Sequence, residues 1–254
     1  MSRLSDSKMR RDGDKLIKTY LSAPYEYVEQ AYQRQKFVHD AGLPVPAVFG
    51  IKKISETETA LEMEYIEGKP LVAMYEGKGE DELAEAQRMM VKLQCQMYAV
   101  DASGLPDLTD MYVQEITASP YLTEQQKSTL LALMKSLDKG KSSLCHGDVH
   151  PYNIMYSGDR FWIIDWEDAS KGDPAADACM AYFYAMRWAA KGNNQSGEQY
   201  LRLFCEESDI PREDVLAWLP VIAGVQVNIN DDEDRAYISN FIDEWFKEND
   251  HDRA

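Results

Sequence analysis

No stretch of this 254-residue chain stays apolar for long enough to cross a bilayer. The longest apolar run, around residues 178–186, falls far short of the roughly 20 residues that a spanning helix needs. The opening residues, Met1 to Lys8, lack the apolar core of a secretory leader. Cysteine is scarce: Cys95, Cys145, Cys179 and Cys205 are the four present. No two of them stand at a Cys-x-x-Cys spacing, which removes a zinc knuckle or a dithiol redox motif. Positive charge is also short, with 27 Lys and Arg against 44 Asp and Glu and a net charge of -17. So acidic a chain repels phosphate backbones and anionic lipid, which argues against a nucleic-acid or membrane partner. It favours cationic partners, or anions carried in with a metal ion. These absences together predict a cytoplasmic protein with reduced thiols.

What is present is enough for a real core, since 44% of residues are apolar. Residues 7–20 alternate as two strands around Asp12-Gly13, a pair suited to a hairpin because Gly accepts a positive φ without penalty. Pro24 opens a helix that carries Tyr27, Val28, Ala31, Gln35 and Val38 at helical spacing. Gly42 caps it, and Pro44 and Pro46 forbid its continuation. Strands over 47–54 and 59–65 complete an α+β unit of about 65 residues. Helices are expected after that, over 80–100, 124–137 (with Thr123 as N-cap), 174–190, 197–206, 212–223 and 233–247. The helix at 174–190 is apolar nearly all round and should be buried. One β island interrupts this half, with residues 154–156 and 161–164 folded about Ser157, Gly158 and Asp159.

The chemistry concentrates on that island. Before it runs His146-Gly147-Asp148-Val149-His150-Pro151-Tyr152-Asn153; after it come Asp165, Trp166 and Glu167. A hairpin brings its ends together, so Asn153 and Asp165 should lie side by side. An amide oxygen and a carboxylate are hard donors suited to Mg²⁺, which binds few protein ligands and keeps waters and substrate phosphates. Asp148, five residues before Asn153, is left as the second acid, facing an incoming hydroxyl. That division of labour is the one used for phosphoryl transfer in kinases.

These residues, with Ile163-Ile164-Asp165-Trp166-Glu167 and Gly172-Asp173-Pro174, resemble the aminoglycoside phosphotransferase and choline kinase family. The resemblance extends upstream through Gly42 to Pro46 and Met63 to Gly68, and covers roughly residues 5–190. It implies an α+β, protein-kinase-like two-lobe fold: residues 1–67 as a nucleotide-binding lobe with its hinge, residues 68–254 as a helical lobe with catalytic loop and acceptor site. It implies Asp148 as catalytic base and Asn153 and Asp165 as metal ligands, with ATP or GTP as co-substrate and Mg²⁺ as cofactor. His146 reads as a structural residue that holds the loop, and Asp177 as a buried acid behind it. Lys18 resembles the lysine that grips the phosphates, with Lys15 as the alternative. Its carboxylate partner on the next helix would be Glu29, with Glu26 also available. Backbone groups of Glu64 and Ile66 would read the base. Where relatives carry glycine in the first loop this chain has Ser2 to Ser7, and Ser5 would serve the phosphates through its hydroxyl and amide.

The acceptor is the least specified part. Asp231, Asp232, Glu233, Asp234, Asp243 and Glu244, together with Trp188, Trp218, Tyr237 and Trp245, predict a small cationic or amino-bearing acceptor. An aminoglycoside comes first and a choline- or ethanolamine-like alcohol second; a catalytically silent nucleotide-binding scaffold is the rival of another class.

Overall fold

The computed structural model describes residues 7–74, 79–190 and 196–249 of the chain. Its elements, in order, start with strands β1 (Ser7–Asp12) and β2 (Lys15–Leu21), helix α1 (Tyr25–Asp40), and strands β3 (Val48–Lys53), β4 (Glu58–Glu64) and β5 (Lys69–Pro70). Helices α2 (Glu80–Tyr98), α3 (Leu108–Ala118) and α4 (Glu124–Leu137) follow, then strands β6 (Ser143–Cys145), β7 (Ile154–Ser157), β8 (Arg160–Ile163) and β9 (Ser170–Gly172). The last helices are α5 (Pro174–Ala190), α6 (Ser196–Ser208), α7 (Arg212–Ala217), α8 (Leu219–Gln226) and α9 (Asp232–Asn249). Over the described residues the chain divides into two compact units. One lies within Arg3–Val100 and His146–Ser170, the other within Asp101–Cys145 and Lys171–Ala254. No described helix is long and apolar enough to cross a membrane.

The first unit is built on an antiparallel sheet in the order β1-β2-β4-β3. Its core gathers Tyr20, Ala23, Val28, Leu61 and Met63 between sheet and α1. Alternation along β2 puts Leu16, Lys18 and Tyr20 on one face, so a lysine is carried inward with the apolar set; Lys18 is only 7% exposed. Both hairpins close as expected. The β1–β2 loop has Gly13 at φ +65°, and the β7–β8 loop has Gly158 at φ +63°, the type II′ pattern of a positive φ at the first loop position alone. Gly42, at φ +83°, ends α1 by donating to the His39 carbonyl.

Hydrogen bonds carry this unit on past β4. β5 pairs with β7, giving a three-stranded sheet β5-β7-β8. The Ile163 amide donates to the Pro44 carbonyl at 2.8 Å and the Val72 amide to the Pro151 carbonyl at 3.3 Å. Gly68 is required here, since a Cβ would stand 2.5 Å from the Tyr156 carbonyl oxygen. The β7–β8 hairpin is thereby tied to the segment that follows β4.

In the second unit α5 is buried as its composition predicts, with Ala176, Ala178, Cys179, Met180 and Phe183 all at 0% exposure. It packs on α6, α7, α8 and β6, while α8 also meets α3, α4 and α9. Thr123 and Gln126 exchange backbone and side-chain bonds at the start of α4, a capping box. Two details differ from the sequence expectation. The helix expected over 212–223 is two helices broken at Trp218, because Pro220 has no amide and restarts the helix at its first turn. Helix α3 was not anticipated. Its signal is Asp107, which accepts the Thr109 amide at 3.0 Å, ahead of Leu108, Tyr112 and Ile116 at helical spacing.

Candidate active site

His146 anchors the loop that runs to Asn153. The Asp148 amide donates to its Nδ1 at 3.2 Å, so the ring proton sits on Nε2, which donates to the Ile164 carbonyl at 3.0 Å. The ring packs on Trp166, with centroids 4.5 Å apart, and is fully buried. One neutral imidazole thus fixes the backbone at Asp148 against the strand that delivers Asp165. Gly147 takes φ +82°, and a Cβ on it would meet the Asp168 Cβ at 3.0 Å. No other residue fits that turn without displacing its neighbour.

Asp148 and Asn153 are joined directly. The Asn153 Nδ2 donates to the Asp148 carbonyl at 2.9 Å and to its Oδ2 at 3.1 Å, and His150 Nε2 lies 3.5 Å from the same carboxylate oxygen. Asn153 accepts the Ile164 amide at its own carbonyl, at 2.9 Å, so the two ends of the hairpin are paired as the turn predicts. Asp165 follows one residue later with left-handed backbone, φ 67° and ψ 60°, a conformation that Asp tolerates better than most residues.

Lys18 meets this group. Its Nζ donates to Asp165 Oδ1 at 2.9 Å and pairs with Glu167 Oε1. Glu167 also accepts the Tyr20 hydroxyl at 2.5 Å and the Tyr27 hydroxyl at 2.8 Å, and its carbonyl accepts from Arg34. Burial alone would lower the Lys18 pKa, but the charges of Asp165 and Glu167 outweigh it and the net shift is upward. Burial first, and then the Glu167 charge, pushes both tyrosine hydroxyls well above their usual range. Burial also raises the Asp168 carboxyl to about 6, with Asp148 and Glu167 adding to it.

Asn153 would hold a divalent ion through Oδ1, because its Nδ2 is already committed to Asp148. Asp165 would supply the carboxylate. Among the described residues no group of three or more His, Cys, Asp or Glu could hold a metal. An amide–carboxylate pair that leaves the remaining positions to water and phosphate suits Mg²⁺ rather than zinc.

The remaining expected residues divide. Glu29 and Glu26 are exposed on α1, and neither meets Lys18; the expected helix partner is replaced by Glu167, two residues past Asp165. Tyr20, Tyr27, Arg34 and Glu167 therefore join the site. Only Glu167 had a sequence signal, its place beside Asp165. Lys15 pairs with Glu62 at 3.2 Å, which leaves the inward position to Lys18. Glu64 ends β4; its amide donates to the Ala47 carbonyl at 2.8 Å and its carboxylate accepts the Ala47 amide at 3.2 Å. Ile66 follows outside the strand, half-buried. Ser5 lies outside the described residues.

In the second unit the acids expected to face an acceptor are largely engaged. Asp234 pairs with Arg187, Asp232 with Arg235, and Asp231 accepts the Asp234 amide at 2.9 Å. Trp218 is 2% exposed and cannot cover a ligand, whereas Trp188 and Tyr237 are open to solvent at 40% and 36%. Asp177 is buried in the first turn of α5, close to Tyr112 and Cys145.

A family model described as the phosphotransferase enzyme family matches residues 3–216. Solved structures share the fold. An aminoglycoside-3′-phosphotransferase of type VIII superposes with TM-score 0.63 at 15% identity, over 89% of this chain and 90% of that one. The aminoglycoside phosphotransferase APH(3″)-Id from Streptomyces rimosus ATCC10970, in complex with ADP and streptomycin, gives 0.63 at 16% identity, over 88% and 94%. A thermostable mutant of aminoglycoside phosphotransferase APH(4)-Ia, in ternary complex with AMP-PNP and hygromycin B, gives 0.64 at 18%, over 94% and 92%. No curated protein matches the chain by sequence. The fold is the kinase-like one of these phosphotransferases, with a small antiparallel sheet towards the N-terminus and helices towards the C-terminus.

Proposed function

The chain belongs to the phosphotransferase enzyme family, and from that we propose that it transfers the γ-phosphoryl of ATP, with GTP as the alternative donor, to a hydroxyl of a small amino-bearing acceptor. The observation that carries this reading is the Asp148–Asn153 pair, fixed by His146 beside a buried Lys18 that already holds Asp165. Asp148 receives the acceptor's hydroxyl proton as the oxygen–phosphorus bond forms and the bond from γ-phosphorus to the β-bridging oxygen breaks, releasing the nucleoside diphosphate. Lys18 offsets charge on the phosphates. Mg²⁺ held by Asn153 and Asp165 would supply further positive charge there. Residues 1–67 would bind the nucleotide, with base contacts from the Glu64 and Ile66 backbone and phosphate contacts from Ser5; residues 68–254 would carry the catalytic loop and the acceptor site.

The acceptor's amino group is supported by the net charge of -17 and by streptomycin and hygromycin B in the relatives' complexes. Asp148→Asn tests the base. It keeps the backbone bond to Asn153, so the fold and nucleotide binding should persist while kcat falls by ~10²–10⁴-fold. Near-normal turnover of the variant on an accepted substrate would move the base elsewhere. A panel of amino-alcohols, aminoglycosides and neutral sugars tests the acceptor class, and a neutral sugar as best substrate would remove the amine from the proposal.

A further inference from the structure

A buried ammonium points where its anionic partners hold it, so the partners of Lys18 decide whether its tip is available to phosphates. Helix α1, which follows the lysine strand, offers Glu26 and Glu29, both on its exposed side. Its buried positions are Val28, Ala31, Gln35 and Val38. The helix therefore brings no carboxylate to Lys18. We infer that Glu167, delivered from the far end of the catalytic hairpin, is the positioning residue that aims Lys18 at the nucleotide phosphates; this rests on the phosphoryl-transfer reading above.

Two carboxylates touch Lys18, and they are not equivalent. Asp165 is also the carboxylate suited to the metal, and an ion bound there takes a share of its charge. Glu167 remains as the anion committed to the lysine. It is itself held at both oxygens, with Tyr20 donating to Oε1 at 2.5 Å and Tyr27 to Oε2 at 2.8 Å. Arg34 donates to its main-chain carbonyl. Tyr20 comes from the lysine's own strand, two residues on and on the same face; Tyr27 and Arg34 come from α1. Helix α1 thus acts on Lys18 through one hydroxyl contact and one guanidinium contact to Glu167 rather than through an acid of its own. A side chain that merely filled space would not need charge, two hydroxyl donors and a buried cation at once.

Glu167→Gln keeps the size of the side chain and removes the charge. Three measurements on the full chain test the idea. In nucleotide-free protein, the labelling rate of Lys18 by an amine-reactive reagent, read by mass spectrometry, should rise about tenfold as the lysine loses its clamp. Affinity for a fluorescent ATP analogue with Mg²⁺ should fall about tenfold. In a Lys18→Ala background the same substitution should cost little more, because the two act as one unit. Unchanged labelling and binding would overturn the inference. So would a full further loss in the Lys18→Ala background, which would put Glu167 to work on the metal instead. Equal effects from Glu29→Gln, with none from Glu167→Gln, would return the role to the helix. If Glu167→Gln fails to fold, Tyr27→Phe removes one of its anchors and should raise Lys18 labelling by a smaller factor; no rise would refute the proposal. Failure of the wild-type chain to bind any Mg-nucleotide would count against the phosphoryl-transfer reading, while Lys18 labelling would still judge the clamp.

Discussion

Gly147→Ala is the sharpest perturbation of the proposed catalytic loop, and a second glycine supplies its control. Gly147 and Gly158 both have left-handed backbone, at φ +82° and +63°. Placing alanine there costs ~1–2 kcal/mol at either position. The surroundings differ. Nothing lies within 4 Å of a Cβ at Gly158, whereas at Gly147 it would meet the Asp168 Cβ at 3.0 Å and its carbonyl oxygen at 3.3 Å. Relieving that overlap adds ~1–3 kcal/mol. Gly147→Ala should therefore destabilise by about 3 kcal/mol and Gly158→Ala by about 1 kcal/mol, read from urea midpoints at constant m. At ~2–4 °C per kcal/mol for a chain of this size, Tm should fall by about 6–12 °C and about 2–4 °C respectively. Gly147 adjoins Asp148, so the relief must move the proposed base, and a misplacement of about 1 Å is worth ~10²-fold in rate. Gly158→Ala should leave kcat unaltered within about twofold. Equal losses of stability for the two variants, with normal turnover in Gly147→Ala, would show that the Asp168 contact does not constrain the loop.

Lys18, Tyr20 and Tyr27 all hold their protons to higher pH in the fold than in an unfolded chain. The native state then binds more protons above about pH 10, so stability must fall as pH rises through that range; Tm should drop steeply there, and the Tyr20→Phe, Tyr27→Phe double variant should show a shallower decline. Asn153→Ala removes one proposed metal donor and should raise the Mg²⁺ concentration for half-maximal activity, measured at saturating nucleotide; an unchanged requirement would exclude the side chain from the metal. Asp234→Asn strips the charge opposite Arg187, whose side chain is 9% exposed. Leaving that guanidinium buried without its anion should cost ~3 kcal/mol in a denaturant titration, and Arg187→Met, Asp234→Leu together should recover part of it.

Much of the candidate site's geometry was legible because it is local. His146, Gly147, Asp148, Asn153 and Asp165 span one loop and one tight hairpin, and the turn at Gly158 alone requires Asn153 and Ile164 to pair. The cap at Gly42, the N-cap at Thr123 and the all-round apolar α5 were likewise readable, since each depends on φ preference or on side chains a few residues apart. The break between α7 and α8 had its signal in Pro220, and α3 had its signal in Asp107.

Lys18 and its partners show where such reading stops. The lysine's inward direction follows from strand alternation, but its carboxylates lie 147 and 149 residues away in sequence. Glu26, Glu29 and Glu167 are chemically alike, and no local pattern ranks them. Packing of α1 on the turn at Trp166–Asp168 does. Trp218 and Asp234 make the same point in the other unit: composition marked one as a ligand platform and the other as free acid. Only the tertiary structure puts the indole in the core and an arginine on the carboxylate. The sequence by itself determines turns, caps, periodicity and the chemistry of a contiguous motif, because short-range sterics and hydrogen bonds encode them. Which distant charges finally meet is decided by how helices and sheets bury their apolar faces, a property of the whole chain.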